Sequence, residues 1–183
     1  MNNSIFDLEI GQDNNIYFTV LSDPGEYRIY QLDPNTGKEV RRFCKRRDDY
    51  QLTQKAGGAG SIAIDKDGNI YYCFSYPYEV RKFSPQGELL IRFNRKVPFL
   101  KEPNDYLGPV FVHTGFPDMM TLPNGNVMVV IRHLEEIRKK ETWFCVYDIF
   151  NGQGEWLFSF KPKESMDHNW HRKGVFDNEG NYY

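Results

Sequence analysis

Ser61-Ile62-Ala63-Ile64-Asp65-Lys66-Asp67-Gly68-Asn69-Ile70-Tyr71-Tyr72 is the stretch that decides the fold. It is a short apolar strand, a tight Asp-Gly-Asn turn and a second apolar strand. Turns that match strand twist need positive φ, which Gly and Asn tolerate, so the stretch reads as a β-hairpin. The same unit recurs around Asn15, Asn126 and Asn181, giving spacings of 54, 57 and 55 residues from one turn Asn to the next. Upstream it reads Phe6-Asp7-Leu8-Glu9-Ile10, a turn through Asn15, then Ile16-Tyr17-Phe18. Downstream it reads Met119-Met120-Thr121-Leu122, Pro123-Asn124-Gly125-Asn126, then Val127-Met128-Val129-Val130. A last copy runs from Gly174-Val175-Phe176 through Asn181 to Tyr182-Tyr183.

A second hairpin follows the first in each full copy, turning at Asp33-Pro34-Asn35-Thr36-Gly37, at Ser84-Pro85-Gln86-Gly87 and at Asn151-Gly152-Gln153-Gly154. Pro early and Gly late in such turns preset the chain reversal. Four short antiparallel strands per repeat make the blade of a β-propeller. Neighbouring blades cover both faces of a blade, which explains strands such as 70–74 and 127–131 that are apolar almost throughout. The expectation is an all-β fold, a β-propeller of four-stranded antiparallel blades in an incomplete ring. The blades are placed at 5–43, 61–93 and 116–160, and a further one starts at 174–183.

Composition agrees. The chain has 183 residues, is 16% aromatic, and spreads 15 Gly and 10 Pro along its length as turn punctuation. Aromatic side chains suit pleated, packed surfaces. A net charge of −2 supplies no global field toward nucleic acid or an anionic membrane. Apolar runs of strand length are too short to span a bilayer. The start, Met1-Asn2-Asn3-Ser4, carries no signal-peptide pattern, so a secreted or periplasmic placement would need residues upstream.

The residues at 62–71, followed by Val80-Arg81-Lys82-Phe83-Ser84-Pro85-Gln86-Gly87-Glu88, resemble the repeat of NHL-type six-bladed propellers. The resemblance covers the second copy well, the first and third loosely, and the fourth to its turn. Phe74-Ser75-Tyr76-Pro77-Tyr78-Glu79 stands where that family has an Asp and an Asn-His-Arg segment, so no functional residue carries over. Six repeats would need roughly 330 residues, within the four to eight blades of known rings. The expectation is a piece of a longer ring; the alternative is a homodimer in which two chains close one ring.

In a blade meander the first and third turns share one end of the ring, and here they are all tight. The other end carries the long connections at 44–60, 94–115, 132–142 and 161–173. Long loops on a rigid scaffold are where binding resides, so this end is the expected functional face, with Arg46, Arg47, His113, Arg132 and Trp170 as ligand-face candidates. Arg41-Arg42-Phe43-Cys44-Lys45-Arg46-Arg47 is the densest basic run. It reads first as a solvated strand end with local ion pairs, and second as a phosphate, acidic-protein or RNA patch. Without interleaved exposed aromatics, nucleic acid is not expected. Residues 132–141, with Glu placed ahead of Arg and Lys at helical spacing, read as a short exposed helical turn.

Asp167, His168 and His171 are weak candidates for a metal site, on a loop with no helix to orient them. Cys44, Cys73 and Cys145 form no metal or disulfide pattern. Cys73 and Cys145 read as small buried strand residues, and Cys44 as a solvated loop thiol. With no nucleophile motif or phosphate loop, the leading function is a non-catalytic module that binds a protein or small molecule on the long-loop face. No cofactor is expected. The alternative is a metal-dependent lactonase- or lyase-like enzyme with a divalent ion on the ring axis, for which Asp7, His113 and Asp118 are candidates by position. A third reading is a secreted structural repeat protein.

Overall fold

The computed structural model describes residues 5–20, 26–45, 60–74, 78–96, 118–137 and 140–161, and for 132–144 it describes the backbone alone. Twelve strands form three four-stranded antiparallel sheets, with no helix among the described residues. The first sheet holds β1 (Ile5–Ile10), β2 (Ile16–Val20), β3 (Tyr27–Leu32) and β4 (Glu39–Lys45). The second holds β5 (Gly60–Ile64), β6 (Ile70–Phe74), β7 (Glu79–Phe83) and β8 (Leu89–Phe93). The third holds β9 (Asp118–Thr121), β10 (Val127–Ile137), β11 (Lys140–Phe150) and β12 (Trp156–Phe160). Each is a meander paired in chain order, and β1, β5 and β9 lie side by side as the innermost strands.

Strand β6 shows why the repeat alternates so little. All five of its residues are buried, yet they serve two different cores. Ile70, Tyr72 and Phe74 join Tyr17, Ile29, Phe43, Cys44, Ile62 and Phe83 between the first and second sheets. Tyr71 and Cys73 join Val80, Phe93, Met119, Val127, Val129 and Phe150 between the second and third. The pleat sends successive side chains to opposite faces, so a middle blade must be apolar on both. Each fully buried large side chain contributes about 1.5–3 kcal/mol. A third cluster, Met128, Val130, Tyr147 and Ile149, lies on the far face of the third sheet.

The tight turns carry their own hydrogen bonds. Asp65 Oδ1 accepts from the Asp67 and Asn69 backbone N–H groups, and Asn151 Oδ1 accepts from those of Gln153 and Glu155. Asn14 takes φ 60°, and Gly68 and Gly125 take φ 79° and 82° at the matching place in the next two sheets.

One joint recurs between sheets. Phe43, at the end of the first sheet, lies against Gly87 in the last turn of the second, where an added Cβ would stand 3.1 Å from the ring. Phe93, at the matching position in the second sheet, lies against Gly154 of the third, where a Cβ would stand 2.6 Å away. Each ring also meets the Phe that ends the next sheet's third strand, Phe43 on Phe83 at 5.3 Å and Phe93 on Phe150 at 5.0 Å between centroids. A cation seals the same seam. Arg41 donates to the Pro85 carbonyl, and Lys82 Nζ to the Gly152 carbonyl at 3.2 Å, both in the second position of the receiving turn.

Three sequence expectations change. Residues 132–141 belong to no helical turn: β10 and β11 pair from Val127↔Phe150 out to Ile137↔Lys140. The Glu-to-Lys spacing that suggested a helix is overridden by cross-strand pairing flanked by the β-formers Thr142, Trp143 and Phe144. The first sheet continues through Lys45, so the connection to the second begins later than expected. Cys44 is therefore a buried strand residue, 2% exposed, and no loop thiol.

Candidate functional site

Two places bring chemistry-bearing residues together: the innermost strands and the end opposite the tight turns. Asp7, Ser61 and Asp118 stand eight residues before the aligned turn Asn in their repeats, and so occupy one level of β1, β5 and β9. Ser61 Oγ donates to Asp7 Oδ2 at 2.7 Å and accepts from the Met119 N–H at 3.1 Å. The Ile62 N–H also donates to Asp7 Oδ2, at 2.9 Å. Asp118 Oδ1 accepts from the Met119 N–H at 2.9 Å. A relay of hydrogen bonds thus crosses all three inner strands. It brings together two of the axial candidates, Asp7 and Asp118, and adds Ser61, which the alternating strand pattern alone did not single out. Aligning the repeats on their turn Asn would have found it. Among the described residues, no group of three or more His, Cys, Asp or Glu is arranged to hold a metal ion.

At the opposite end, strand termini from the first two sheets enclose a buried polar knot. Arg81 Nε donates to Glu79 Oε1 at 2.6 Å, its Nη1 to the Lys45 carbonyl at 2.5 Å, and its guanidinium lies 4.5 Å from the Phe74 ring centroid. Arg28, Glu79 and Arg81 are all buried here. Burial pushes the Cys44 thiol up to about 12, outweighing the pull of Arg81 and Arg28 toward the thiolate. Burial likewise raises the Tyr72 phenol well above its ordinary value. The Glu79–Arg81 ion pair lies within β7, and the bond from Arg81 to the Lys45 carbonyl ties it to the end of β4.

From the same end of the third sheet a ribbon projects. Strand β9 stops pairing with β10 at Val130, and β12 stops pairing with β11 at Tyr147. Beyond them β10 and β11 continue as a two-stranded ribbon through seven further pairs, from Ile131↔Val146 to Ile137↔Lys140. At 3.3–3.4 Å per residue that is about 20 Å of ribbon. Among the described residues, neither β9 nor β12 follows it.

Of the ligand-face candidates, Arg132 stands at the base of this ribbon. Arg46, Arg47, His113 and Trp170 lie outside the described residues, as do Asp167, His168 and His171. In the described part of the basic run the cations already have partners. Arg42 pairs with Glu39 and Lys45 with Glu26, each at 2.9 Å, and Arg41 is engaged at the seam. That matches a solvated strand end with local ion pairs.

The tight-turn end is chemically spent by comparison. Asp13 accepts from Asn15, Tyr17 and Gln31 side chains. Burial raises the Asp13 carboxyl, but hydrogen bonds from Asn15 and Tyr17 prevail and hold it below the usual range. Burial first, and Asp13 second, push the Tyr17 phenol up to about 12. Between the second and third sheets, Asp148 accepts from Arg95, Tyr78 and Ser159.

With this geometry in view, solved structures give the fold its name. A catalytically inactive variant of virginiamycin B lyase from Staphylococcus aureus, solved with quinupristin, superimposes with a TM-score of 0.54 at 14% identity, over 89% of this chain and 43% of that one. The fold is that of a β-propeller. A protein of unknown function from Bacteroides caccae (TM-score 0.48, 16% identity, 86% of this chain and 46% of that one) and a streptogramin B lyase (TM-score 0.49, 12% identity, 98% and 61%) are further similar structures. This chain spans less than two thirds of the length of each. No family model and no curated protein matches the chain. The described sheets are blades of an open ring, and no helix among them is long and apolar enough to cross a membrane.

Proposed function

We propose that the chain is part of an NHL-like, six-bladed, non-catalytic propeller that binds a protein or small-molecule partner at the end bearing the long connections. The start of a fourth blade at 174–183 belongs to the same reading. The observation that carries it is the ribbon formed by β10 and β11, about 20 Å long, which leaves the third blade at that end. Its edges offer backbone N–H and C=O groups of the kind that an extended peptide recruits by adding a strand. The opposite end has its turn carboxylates and amides bound to their own backbone.

Hydrogen exchange tests this. Compounds and extended peptides that raise the melting temperature should slow exchange in 131–146 and in the neighbouring ends of β4 and β7. Protection confined to the tight turns would refute the proposal.

The second reading, a metal-dependent lactonase- or lyase-like enzyme, draws on the relay of Asp7, Ser61 and Asp118 on the inner strands. Incubation with quinupristin and a divalent cation, followed by mass spectrometry, separates the two. Turnover that is lost on Asp7→Asn would favour the enzyme.

A further inference from the structure

The sequence holds two Asn-Gly pairs, Asn124-Gly125 and Asn151-Gly152, and both lie in tight turns of the third sheet. Asn before Gly is where a chain can attack its own side chain, because a following residue without a Cβ lets its nitrogen approach the amide carbon. The two pairs are held differently. Asn151 opens the turn between β11 and β12, and its amide is engaged through both atoms. Oδ1 accepts from the Gln153 and Glu155 N–H groups at 3.0 and 2.9 Å, and Nδ2 donates to Glu155 Oε2 at 2.6 Å. Beside it, the Gly152 carbonyl accepts from Lys82 Nζ. Asn124 is exposed at the bend between β9 and β10. Its Oδ1 accepts from the Asn126 N–H at 3.0 Å, and nothing lies within 4 Å of where a Gly125 Cβ would be. The Gly125 N–H donates to the Leu122 carbonyl at 2.9 Å, a bond that must open before the nitrogen can attack.

The other repeats show what this turn makes of the product. Asn124 stands two residues before its turn Asn, where the first two repeats have Asp13 and Asp67. Asp13 Oδ1 accepts from the Asn15 N–H at 3.1 Å, the same bond that Asn124 makes with Asn126. An aspartate at 124 therefore keeps the turn. An isoaspartate does not, since it routes the backbone through an extra methylene. At 151 the loss of Nδ2 would turn its bond to Glu155 into a contact between two carboxylates.

We propose that Asn124 is a site of spontaneous deamidation, which converts its turn to the aspartate form of the first two repeats, and that Asn151 is protected from the same reaction. The Gly125 nitrogen bonds to Asn124 Cγ, the Cγ–Nδ2 bond breaks, and the departing nitrogen takes up the amide proton and leaves as ammonia. A succinimide ring remains, and water opens it. Cleavage of the new Cγ–N bond gives aspartate, and cleavage at the main-chain carbonyl gives isoaspartate. The change adds one negative charge at the tight-turn end, away from the end proposed to bind a partner.

The test is peptide mapping by mass spectrometry of the folded 183-residue chain, held at mildly alkaline pH and body temperature beside a guanidinium-unfolded sample. Heavy-oxygen water in the buffer marks each hydrolysed site. In the folded chain Asn124 should convert at least tenfold faster than Asn151, and should give a larger share of aspartate over isoaspartate than in the unfolded sample. Unfolded, the two sites should convert at similar rates. Asn124→Asp should melt at the wild-type temperature. Asn151 keeping pace with Asn124 in the folded chain would overturn the proposal. So would Asn124 staying intact there while the unfolded sample converts, an unshifted product ratio, or an Asn124→Asp variant that melts early.

Discussion

Replacing Arg95 with Met should cost more stability than replacing Asp148 with Asn, although Arg95 is the more exposed partner. Asp148 is 0% exposed and takes two guanidinium hydrogen bonds, at 2.8 and 2.6 Å, plus the hydroxyls of Tyr78 at 3.1 Å and Ser159 at 2.5 Å. Breaking a buried pair typically costs about 3–5 kcal/mol, because the partner left behind has lost its water as well as its counter-charge. The Arg95 side chain is 16% exposed and also lies over Trp156, so it can turn toward solvent when Asp148 becomes neutral. Asp148→Asn should therefore fall near the lower bound, about 3 kcal/mol. The carboxylate has no such exit. Arg95→Met should fall near the upper bound, about 5 kcal/mol, eased by the Tyr78 and Ser159 hydroxyls. At about 2–4 °C per kcal/mol for a chain of this size, the melting temperature should drop by about 6–12 °C for Asp148→Asn and about 10–20 °C for Arg95→Met. Urea unfolding of both single variants and the double variant, followed by circular dichroism, gives the coupling. It should exceed about 1.5 kcal/mol, the middle of the range for groups in one network. Arg95→Met costing under about 1 kcal/mol, or additivity within about 0.5 kcal/mol, would refute the argument.

The remaining predictions are smaller. Native protein should show Cys44 and Cys73 inert to a thiol reagent at pH 8, because burial raises both thiols, Cys44 to about 12; both should react once the protein unfolds. Asp13 has a folded pKa below its unfolded value, so its stabilisation is present above the unfolded pKa and is lost as pH falls through the folded one. Asp13→Asn should flatten the acid limb of a melting-temperature profile. Tyr17 works in the opposite sense. Its stabilisation is complete below the unfolded phenol value near 10 and fades as pH rises toward about 12, so Tyr17→Phe should reduce the alkaline slope. Gly60→Ala would put a Cβ 2.1 Å from the Cys73 carbonyl oxygen, a backbone atom that cannot step aside. Denaturant unfolding should show a loss of about 3 kcal/mol.

Much of the architecture was legible because turn chemistry is local. Asn15, Asn69 and Asn126 announce their hairpins with no help from distant residues, and the near-constant spacing then implies the blades. What was not legible depends on partners elsewhere in the chain. Cys44 looked like part of a charged loop because Lys45, Arg46 and Arg47 follow it, yet it is buried in a core shared with Ile62, Tyr72 and Phe83, far away in sequence. Residues 132–141 carry helix-like charge spacing, and only pairing with β11 decides them. Ser61 gave no signal as a single residue. Its relay between Asp7 and Met119 becomes visible when repeats are stacked as neighbours.

The hydrogen bonds that cross from one inner strand to the next bear on how the chain folds. Ser61 to Asp7 spans 54 residues, Met119 to Ser61 spans 58, and Thr121 to the Ile64 carbonyl spans 57. The entropic cost of closing a loop grows only with the logarithm of its length, so these closures differ by less than about 0.1 kcal/mol. Each blade added to the arc therefore faces nearly the same kinetic barrier, whichever seam forms first. Folding can start at any hairpin and spread in both directions with a repeating step. The middle blade, which completes two seams, should be the last to exchange its amides with solvent.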